Sequence, residues 1–212
     1  MGLALQQVEL AVVGRHLLGP LDVIIEPGKI ATITGRSGTG KSSLLSYICG
    51  VLPNDFSAQG AILLNDDNLT QLPPEKRRLG ILFQDDLLFP HLSVAGNLAF
   101  GLPRMQRSRE ERTRVITDAL ASFGLTGFAS RDPATLSGGQ RARVALLRTL
   151  LSRPRALLLD EPFAHLDPDT RSTVRRLVVA EANRRALPTL LVTHDEDDAQ
   201  FADGPIIRLR TP

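Results

Sequence analysis

The chain contains GRSGTGKS at residues 35–42, an octapeptide that fits the pattern G-x-x-x-x-G-K-[ST]. Its glycines allow successive backbone N–H groups to turn inward around an anion. A helix predicted to begin near Lys41 points its positive end at the same place. The lysine adds a full charge, and the Ser42 hydroxyl is suited to a Mg²⁺ shell. The octapeptide therefore predicts a loop that binds the phosphates of a nucleotide.

The flanks of this loop have the structure that such a site needs. Ile30–Thr34 reads as a strand, and Lys41–Gly50 reads as a helix that Gly50 ends. The alternative is a glycine turn that contains Lys-Ser by chance. Only three lysines occur in the chain, which makes this coincidence rare.

Short apolar strands alternate with helices along most of the chain, which predicts an α/β fold with a mostly parallel sheet. The first thirty residues instead indicate short β segments, and we expect an antiparallel β segment there. Residues 86–135 lack strand signals and are predicted to form a helical insert, with Ser108 as a helix cap. The later strands are predicted at Ala61–Leu64, Leu79–Phe83, Ala156–Leu159, Leu190–Thr193 and Ile206–Leu209.

Composition excludes several classes of protein. The chain has 212 residues, of which 42% are hydrophobic and 23% charged, so it can bury a core and is not a disordered or fibrous sequence. Its apolar runs are too short to span a bilayer. It has one cysteine and therefore no internal disulfide, and the start MGLALQQVEL lacks the pattern of a secretory signal. These features predict a cytoplasmic location.

Charge is unevenly distributed although the formal net charge is only +2. Residues 104–155 hold 11 arginines against four acids, and residues 160–203 hold ten acids against five arginines. The simplest interpretation is a set of solvated helix faces, and a surface that binds a polyanion is the alternative.

Two adjacent carboxylates follow the predicted strand Ala156–Leu159. Asp160 comes at its carboxyl end, where ligands bind in open α/β sheets, and is the candidate for organising a metal. Glu161 precedes Pro162, which favours an extended exit from the strand, and is the candidate for polarising an attacking water. The alternative is an acidic turn that closes a strand.

With LSGGQ at residues 136–140, the chain resembles an ATP-binding-cassette (ABC) ATPase over about residues 3–210. Six motifs occur in the order of that family: the phosphate loop, Gln84 in LFQDD, LSGGQ, LLLDEP at 157–162, HLD at 165–167, and His194 in THD. Residues 81–102, ILFQDDLLFPHLSVAGNLAFGL, further resemble the ATPases of bacterial importers. Phe89 and Pro90 lie where this resemblance places the groove for a coupling helix of a permease.

The resemblance implies a single ABC ATPase domain over 1–212, a P-loop NTPase core of residues 1–85 and 136–212 with a helical subdomain at 86–135. It implies an ATP-hydrolysing subunit of a membrane transporter, most simply an importer, on the inner face of the cell membrane. Closure of a homodimer around two ATP molecules would drive permease subunits, with a substrate-binding protein as a further partner. No direct contact with nucleic acid is expected.

Roles for particular residues follow from the same resemblance. The catalytic set is Glu161, His194 and Gln84, and the Mg²⁺ ligands are Ser42, Gln84 and Asp160. The residues expected to bind ATP are Gly35, Arg36, Ser37, Gly38, Thr39, Gly40, Lys41, Ser42 and Ser43 of one chain, with Ser137, Gly138, Gly139 and Gln140 of the partner.

The chain departs from the family where an aromatic residue usually stacks on the adenine. The N-terminal strand region offers Val12, Val13, Arg15 and His16 instead. Recognition of the base is therefore expected to be loose or to depend on His16. In HLD, the preceding Ala164 stands where a serine is common.

Three alternatives remain at this stage. A soluble ABC ATPase acting on nucleic acid or ribosomes would use the arginine-rich region. A nucleotide-gated regulatory module with negligible turnover would fit the missing aromatic. A P-loop kinase is a third alternative, but it gives LSGGQ no role.

Overall fold

The structure is a computed structural model that describes residues 2–103 and 108–209. The chain divides into two compact units. The first comprises Met1–Ile81, Arg155–Glu161 and Val179–Pro212, and the second comprises Leu82–Pro154 and Pro162–Val178. The domain boundaries expected from the sequence, with an insert at 86–135, stay a prediction.

Strands and helices alternate along most of the described chain. The strands are β1 (Leu3–Val12), β2 (Arg15–Ile25), β3 (Ile30–Thr34), β4 (Phe56–Leu64), β5 (Asp67–Asn68), β6 (Leu79–Leu82), β7 (Ala156–Asp160), β8 (Thr189–Thr193) and β9 (Ile206–Arg208). The helices are α1 (Lys41–Cys49), α2 (Pro74–Arg77), α3 (Val94–Gly101), α4 (Arg109–Ser122), α5 (Gly138–Leu151), α6 (Pro168–Arg185) and α7 (Glu196–Gln200), with a 3₁₀ turn at Pro133–Thr135.

A five-stranded sheet with the order β6-β7-β8-β3-β9 forms the core of the first unit. β8 pairs in parallel with β3 and β7, and β3 pairs in parallel with β9. Every residue of β3 and β8 is buried, as expected for parallel strands covered on both faces. The prediction of an α/β fold with a mostly parallel sheet is confirmed.

An antiparallel sheet with the order β2-β1-β4-β5 is the second sheet, which confirms the predicted N-terminal antiparallel segment. Its strands are longer than predicted, with 10 residues in β1 and 11 in β2. Their pairing shifts register at three places, so the alternation of apolar residues is interrupted and each strand reads as shorter pieces. Gln7 lies at one shift with φ 48°, and its N–H donates to Asp22 Oδ1 at 2.9 Å.

A tight turn leads from β2 into β3 and so places the phosphate loop. The N–H of Lys29 donates to the Glu26 carbonyl at 3.0 Å, and Gly28 takes a positive φ of 82° that suits glycine. After the loop, α1 ends where predicted. Gly50 adopts the left-handed conformation and its N–H bonds back to the carbonyls of Ser46 and Tyr47.

Helices make up the second unit, and no strand occurs among its described residues between 86 and 135. Ser108 caps α4 as predicted, in a reciprocal capping box with Glu111. α3 packs closely on α5 at Gly101. A Cβ at this position would lie 2.2 Å from the Arg148 carbonyl oxygen, so the close approach depends on glycine.

Within residues 2–103 and 108–209, none of the helices combines the length and the apolar character that crossing a membrane requires.

Candidate functional site

The loop between β3 and α1 forms a backbone cradle at the edge of the parallel sheet. Gly38 and Gly40 have φ values of 83° and 86°, which a residue with a Cβ rarely adopts. Gly40 is also the N-cap of α1 and provides no side-chain acceptor to the first N–H groups of the helix. These N–H groups and the helix dipole together favour an anion at this end of α1.

Lys41 holds the loop in shape from inside. Its side-chain Nζ donates to the carbonyls of Gly35 at 2.7 Å and Arg36 at 3.0 Å, and the residue is only 6% exposed. An ammonium group has three hydrogens, so one remains for a phosphate oxygen after both carbonyls are bound. This second, structural role was not predicted from the sequence.

Thr39 and Gly35 close the loop on its inner side. The Thr39 hydroxyl donates to the Arg36 carbonyl at 2.9 Å, and the side chain is buried. A Cβ on Gly35 would lie 2.9 Å from Thr39 Oγ1, so the loop requires glycine there. Arg36 and Ser37 are exposed, as expected for residues that face a ligand.

Ser42 and Asp160 meet at the end of β7. The Ser42 hydroxyl donates to Asp160 Oδ1 at 3.3 Å. Burial raises the pKa of Asp160, and Glu161 acts in the same direction, while the Ser42 bond and the charge of Lys41 lower it. No cluster of three His, Cys, Asp or Glu side chains suited to a metal occurs in the described ranges. One hydroxyl and one carboxylate beside a phosphate site fit Mg²⁺, which usually takes one or two carboxylates together with substrate phosphates and waters.

Glu161 and His194 form a pair beside this corner. His194 Nδ1 contacts Glu161 Oε2 directly, and the histidine side chain is 58% exposed against 16% for the glutamate. Glu161 has φ 47°, an uncommon value for a residue with a side chain, and its N–H donates to the Val192 carbonyl at 2.9 Å. The structure thus brings together two of the three residues expected to act in catalysis.

A cleft of about 360 Å³ runs across this site within the first unit. The phosphate loop and Glu161 form its polar side, through Ser37, Gly38, Gly40, Lys41, Ser42 and Ser43. Val12, Leu17 and Phe56 form an apolar side. A role for Phe56 was not predicted, because its position depends on the pairing of β4 with β1, whose residues are far apart in the chain.

The LSGGQ motif lies in the second unit, at the start of α5. Ser137 is the N-cap, where its hydroxyl accepts from the N–H of Gln140 at 3.3 Å and its own N–H donates to Gln140 Oε1 at 3.0 Å. Accepting a bond leaves the hydroxyl hydrogen able to donate. Gly138 is half-buried and Gly139 is buried. A Cβ on Gly139 would lie 2.0 Å from Thr170 Cγ2, so packing against α6 requires this glycine.

Gln84 also belongs to the second unit, where its side chain contacts that of His165. Gln84 Nε2 and His165 Nε2 are 3.1 Å apart, so the amide can donate to the neutral imidazole. The sequence did not predict this contact. The expected roles of Gln84 toward Mg²⁺ and water stay predictions.

Arginines of the second unit bind backbone carbonyls as well as contacting solvent. Arg148 donates to the carbonyls of Leu87 at 2.7 Å and Asp86 at 3.1 Å, which ties the segment after Gln84 to α5. Arg141 donates to Asp86 Oδ2 at 3.2 Å, which opposes the rise that burial causes in the pKa of that carboxyl. Arg141 and Arg148 therefore have partners within the second unit. Arg104 and Arg107 lie outside the described residues.

Comparison with known proteins gives a consistent result. The family model described as ABC transporter matches residues 18–164. The chain is 45% identical over 205 residues to the uncharacterized ABC transporter ATP-binding protein YnjD of Escherichia coli (strain K12), covering 97% of this chain and 94% of that protein. It is 40% identical over 199 residues to the putative 2-aminoethylphosphonate import ATP-binding protein PhnT of Salmonella choleraesuis (strain SC-B67), covering 93% of this chain but 53% of that protein.

The fold is similar to a solved structure, the dimeric post-hydrolysis state of the ATP-binding cassette MJ0796 bound to ADP and Pi. The TM-score is 0.82 at 28% sequence identity, over 98% of this chain and 94% of that chain.

Proposed function

Because the chain belongs to the ABC transporter family, we propose that it is the ATP-hydrolysing subunit of a membrane importer. The observation that carries this proposal is the corner of the first unit where the phosphate loop, the Ser42–Asp160 pair and the Glu161–His194 pair adjoin one cleft. Each group has a use in phosphoryl transfer, and the likeness to an import ATP-binding protein supports the direction of transport.

Binding of ATP uses the backbone cradle first. The N–H groups at the start of α1 and the Lys41 ammonium bind the β- and γ-phosphates, while the carbonyls of Gly35 and Arg36 keep Lys41 in place. Ser42 and Asp160 would hold Mg²⁺, which when bound neutralises charge on the phosphates. Gln84 is a further proposed ligand.

Hydrolysis uses the pair beside it. Glu161 accepts a proton from the water that attacks the γ-phosphorus, and the bond from that phosphorus to the bridging oxygen breaks to give ADP and phosphate. His194 Nδ1 donates to the ionised Glu161 carboxylate and so fixes its orientation. With Nδ1 in that bond, Nε2 is the ring nitrogen that remains, and in the imidazolium form its N–H can donate to a γ-phosphate oxygen.

Two copies act together in this proposal. Each ATP contacts the phosphate loop of one chain and Ser137, Gly138, Gly139 and Gln140 of the partner subunit. The dimeric cassette with ADP and Pi supports this arrangement. We propose that closure and reopening of the dimer drive permease subunits at the inner membrane face, with a substrate-binding protein as the partner that delivers the cargo.

The surface proposed for the permease is an apolar patch on the second unit, which consists of Leu87, Phe89 and Phe100. Leu87 is 56% exposed and Phe100 is 70% exposed. Phe89 packs edge-to-face on Phe100 with ring centroids 4.7 Å apart. Exposed apolar side chains that group together are typical of interaction sites.

Affinity purification from detergent-solubilised membranes tests the proposal. We expect the tagged chain to recover a polytopic membrane protein, and Phe100→Glu to lose it because a charge would be buried at the contact. Val51→Glu is the matched control, since Val51 is a 57% exposed apolar residue of the first unit. Recovery of ribosomes or nucleic-acid-bound proteins in place of a permease, or equal recovery with Phe100→Glu, would contradict the proposal.

A further inference from the structure

The apolar side of the cleft contains one aromatic ring, Phe56, among the described residues that line it. We propose that Phe56 provides the surface on which the nucleobase stacks, in place of the aromatic residue missing from the N-terminal strands. The inference rests on the proposed nucleotide site.

The pairing of β4 with β1 fixes where Phe56 stands. Phe56 is the first residue of β4 and lies opposite Val12 at the end of β1. Beside it, the N–H of Val13 donates to the Asp55 carbonyl at 3.0 Å. The two strand ends are therefore held together, and the half-buried Phe56 side chain adjoins Val12 at the cleft.

Leu17 joins this apolar side to the phosphate loop. A Cβ on Gly40 would lie 2.8 Å from Leu17 Cγ, so Leu17 packs directly on the last glycine of the loop. The apolar surface therefore begins where the phosphate cradle ends. The phosphate loop and this apolar surface line the same cleft of about 360 Å³. A nucleotide whose phosphates bind at the start of α1 can therefore place its base against the apolar surface.

The other residues of the strand ends are less suited to the base. Val12 and Leu17 are aliphatic and offer no π face. Val13 is 83% exposed, and His16 and Arg15 are exposed and are not among the described residues that line the cleft. The expectation that recognition depends on His16 is therefore replaced by one based on Phe56. A phenyl ring stacks on a base without reading its hydrogen-bonding edge.

Calorimetric titration with two ligands, ATP and inorganic tripolyphosphate, tests the inference. Tripolyphosphate reports on the phosphate loop alone, because it has no base. We expect Phe56→Ala to weaken ATP binding about tenfold and to leave tripolyphosphate binding unchanged. Phe56→Tyr keeps the ring and should bind ATP within about twofold of the wild type. Val13→Ala, at the same strand end, is the control and should bind both ligands normally.

Three results would contradict the account in distinguishable ways. Unchanged ATP affinity in Phe56→Ala would overturn the role of Phe56. Equal losses for ATP and tripolyphosphate would overturn it as well, because Phe56 would then act through the fold. If the wild-type chain bound neither ligand, the proposed nucleotide site itself would be wrong.

Discussion

Asp160 and Glu161 are neighbours in the chain, but their side chains have different partners. Asp160 accepts from the Ser42 hydroxyl, and Glu161 contacts His194. The backbone turns at Glu161, which has a positive φ, and the two carboxylates therefore reach different partners. Adjacent carboxylates are thereby given the two tasks proposed for them, holding a metal and polarising water.

Because Asp160 is partly buried, we expect its carboxylate to lower the stability of the folded chain although ATP hydrolysis requires it. Because burial raises its pKa, the ionised form is the unfavourable one in the folded protein. Asp160→Asn should raise the free energy of unfolding by about 1 kcal/mol at neutral pH and nearly abolish ATP hydrolysis. Urea unfolding and phosphate release measure the two effects.

The gain in the free energy of unfolding expected for Asp160→Asn should depend on pH. The folded chain takes up a proton at Asp160 before the unfolded chain does as the pH falls, so the penalty fades between the raised pKa and the ordinary value of 3.8. The advantage of Asp160→Asn over the wild type should therefore shrink as the pH is lowered. Asp66→Asn, at an exposed position, should change neither property. A lower stability of Asp160→Asn at neutral pH would refute the argument.

Among the elements, α5 combines a functional and a structural constraint in its first turn. Ser137 and Gln140 satisfy the N-terminal N–H groups through the capping box, while Gly139 allows α6 to approach. The same residues are expected to face the partner's ATP. Gly139 is thus constrained by packing even without a ligand.

Substitution of the two glycines should separate these constraints. Gly139→Ala should lower stability by about 1–3 kcal/mol, although alanine favours helices, because its Cβ would lie 2.0 Å from Thr170 Cγ2. Gly138→Ala is the matched control, since its Cβ would make only ordinary van der Waals contacts, the nearest with the His165 carbonyl oxygen at 3.7 Å. Urea unfolding measures both.

A second substitution tests the named contact. Thr170→Ala removes Cγ2, so the double variant with Gly139→Ala should recover part of the lost stability. Additive losses in the double variant would show that the clash is not the cause.

Helices and the parallel strands could be predicted from the sequence because their signals are local. β3 matches its predicted range, and the caps Ser108 and Gly50 act where expected. β1, β2 and the start of β4 could not be predicted well, because bulges break their periodicity and pairing between distant residues sets their length. Phe56, at the start of β4, was not predicted as a site residue for that reason.

In the candidate site as well, some residues could be predicted from the sequence and some contacts could not. Lys41, Ser42 and Asp160 lie in contiguous motifs whose chemistry is readable. The contact of Gln84 with His165 and the carbonyl bonds of Arg148 depend on how loops fold back, which no local pattern specifies.

In the proposed dimer, two chains together bind two ATP molecules. The phosphate loop is in the first unit and LSGGQ in the second. A negative charge at position 137 should oppose the partner's ATP without removing the helix cap, since aspartate caps helices well. Ser137→Asn is the matched control for Ser137→Asp, because asparagine has nearly the shape of aspartate but no charge.

The most direct test is the mass of Glu161→Gln in solution, measured by light scattering with and without ATP. Loss of the carboxylate should slow hydrolysis by about a hundredfold or more and so trap the ATP-bound state. We predict a dimer with ATP and a monomer without it, and loss of the dimer when Ser137→Asp, but not Ser137→Asn, is added. A monomer in saturating ATP, or turnover equal to that of the wild type, would contradict the account.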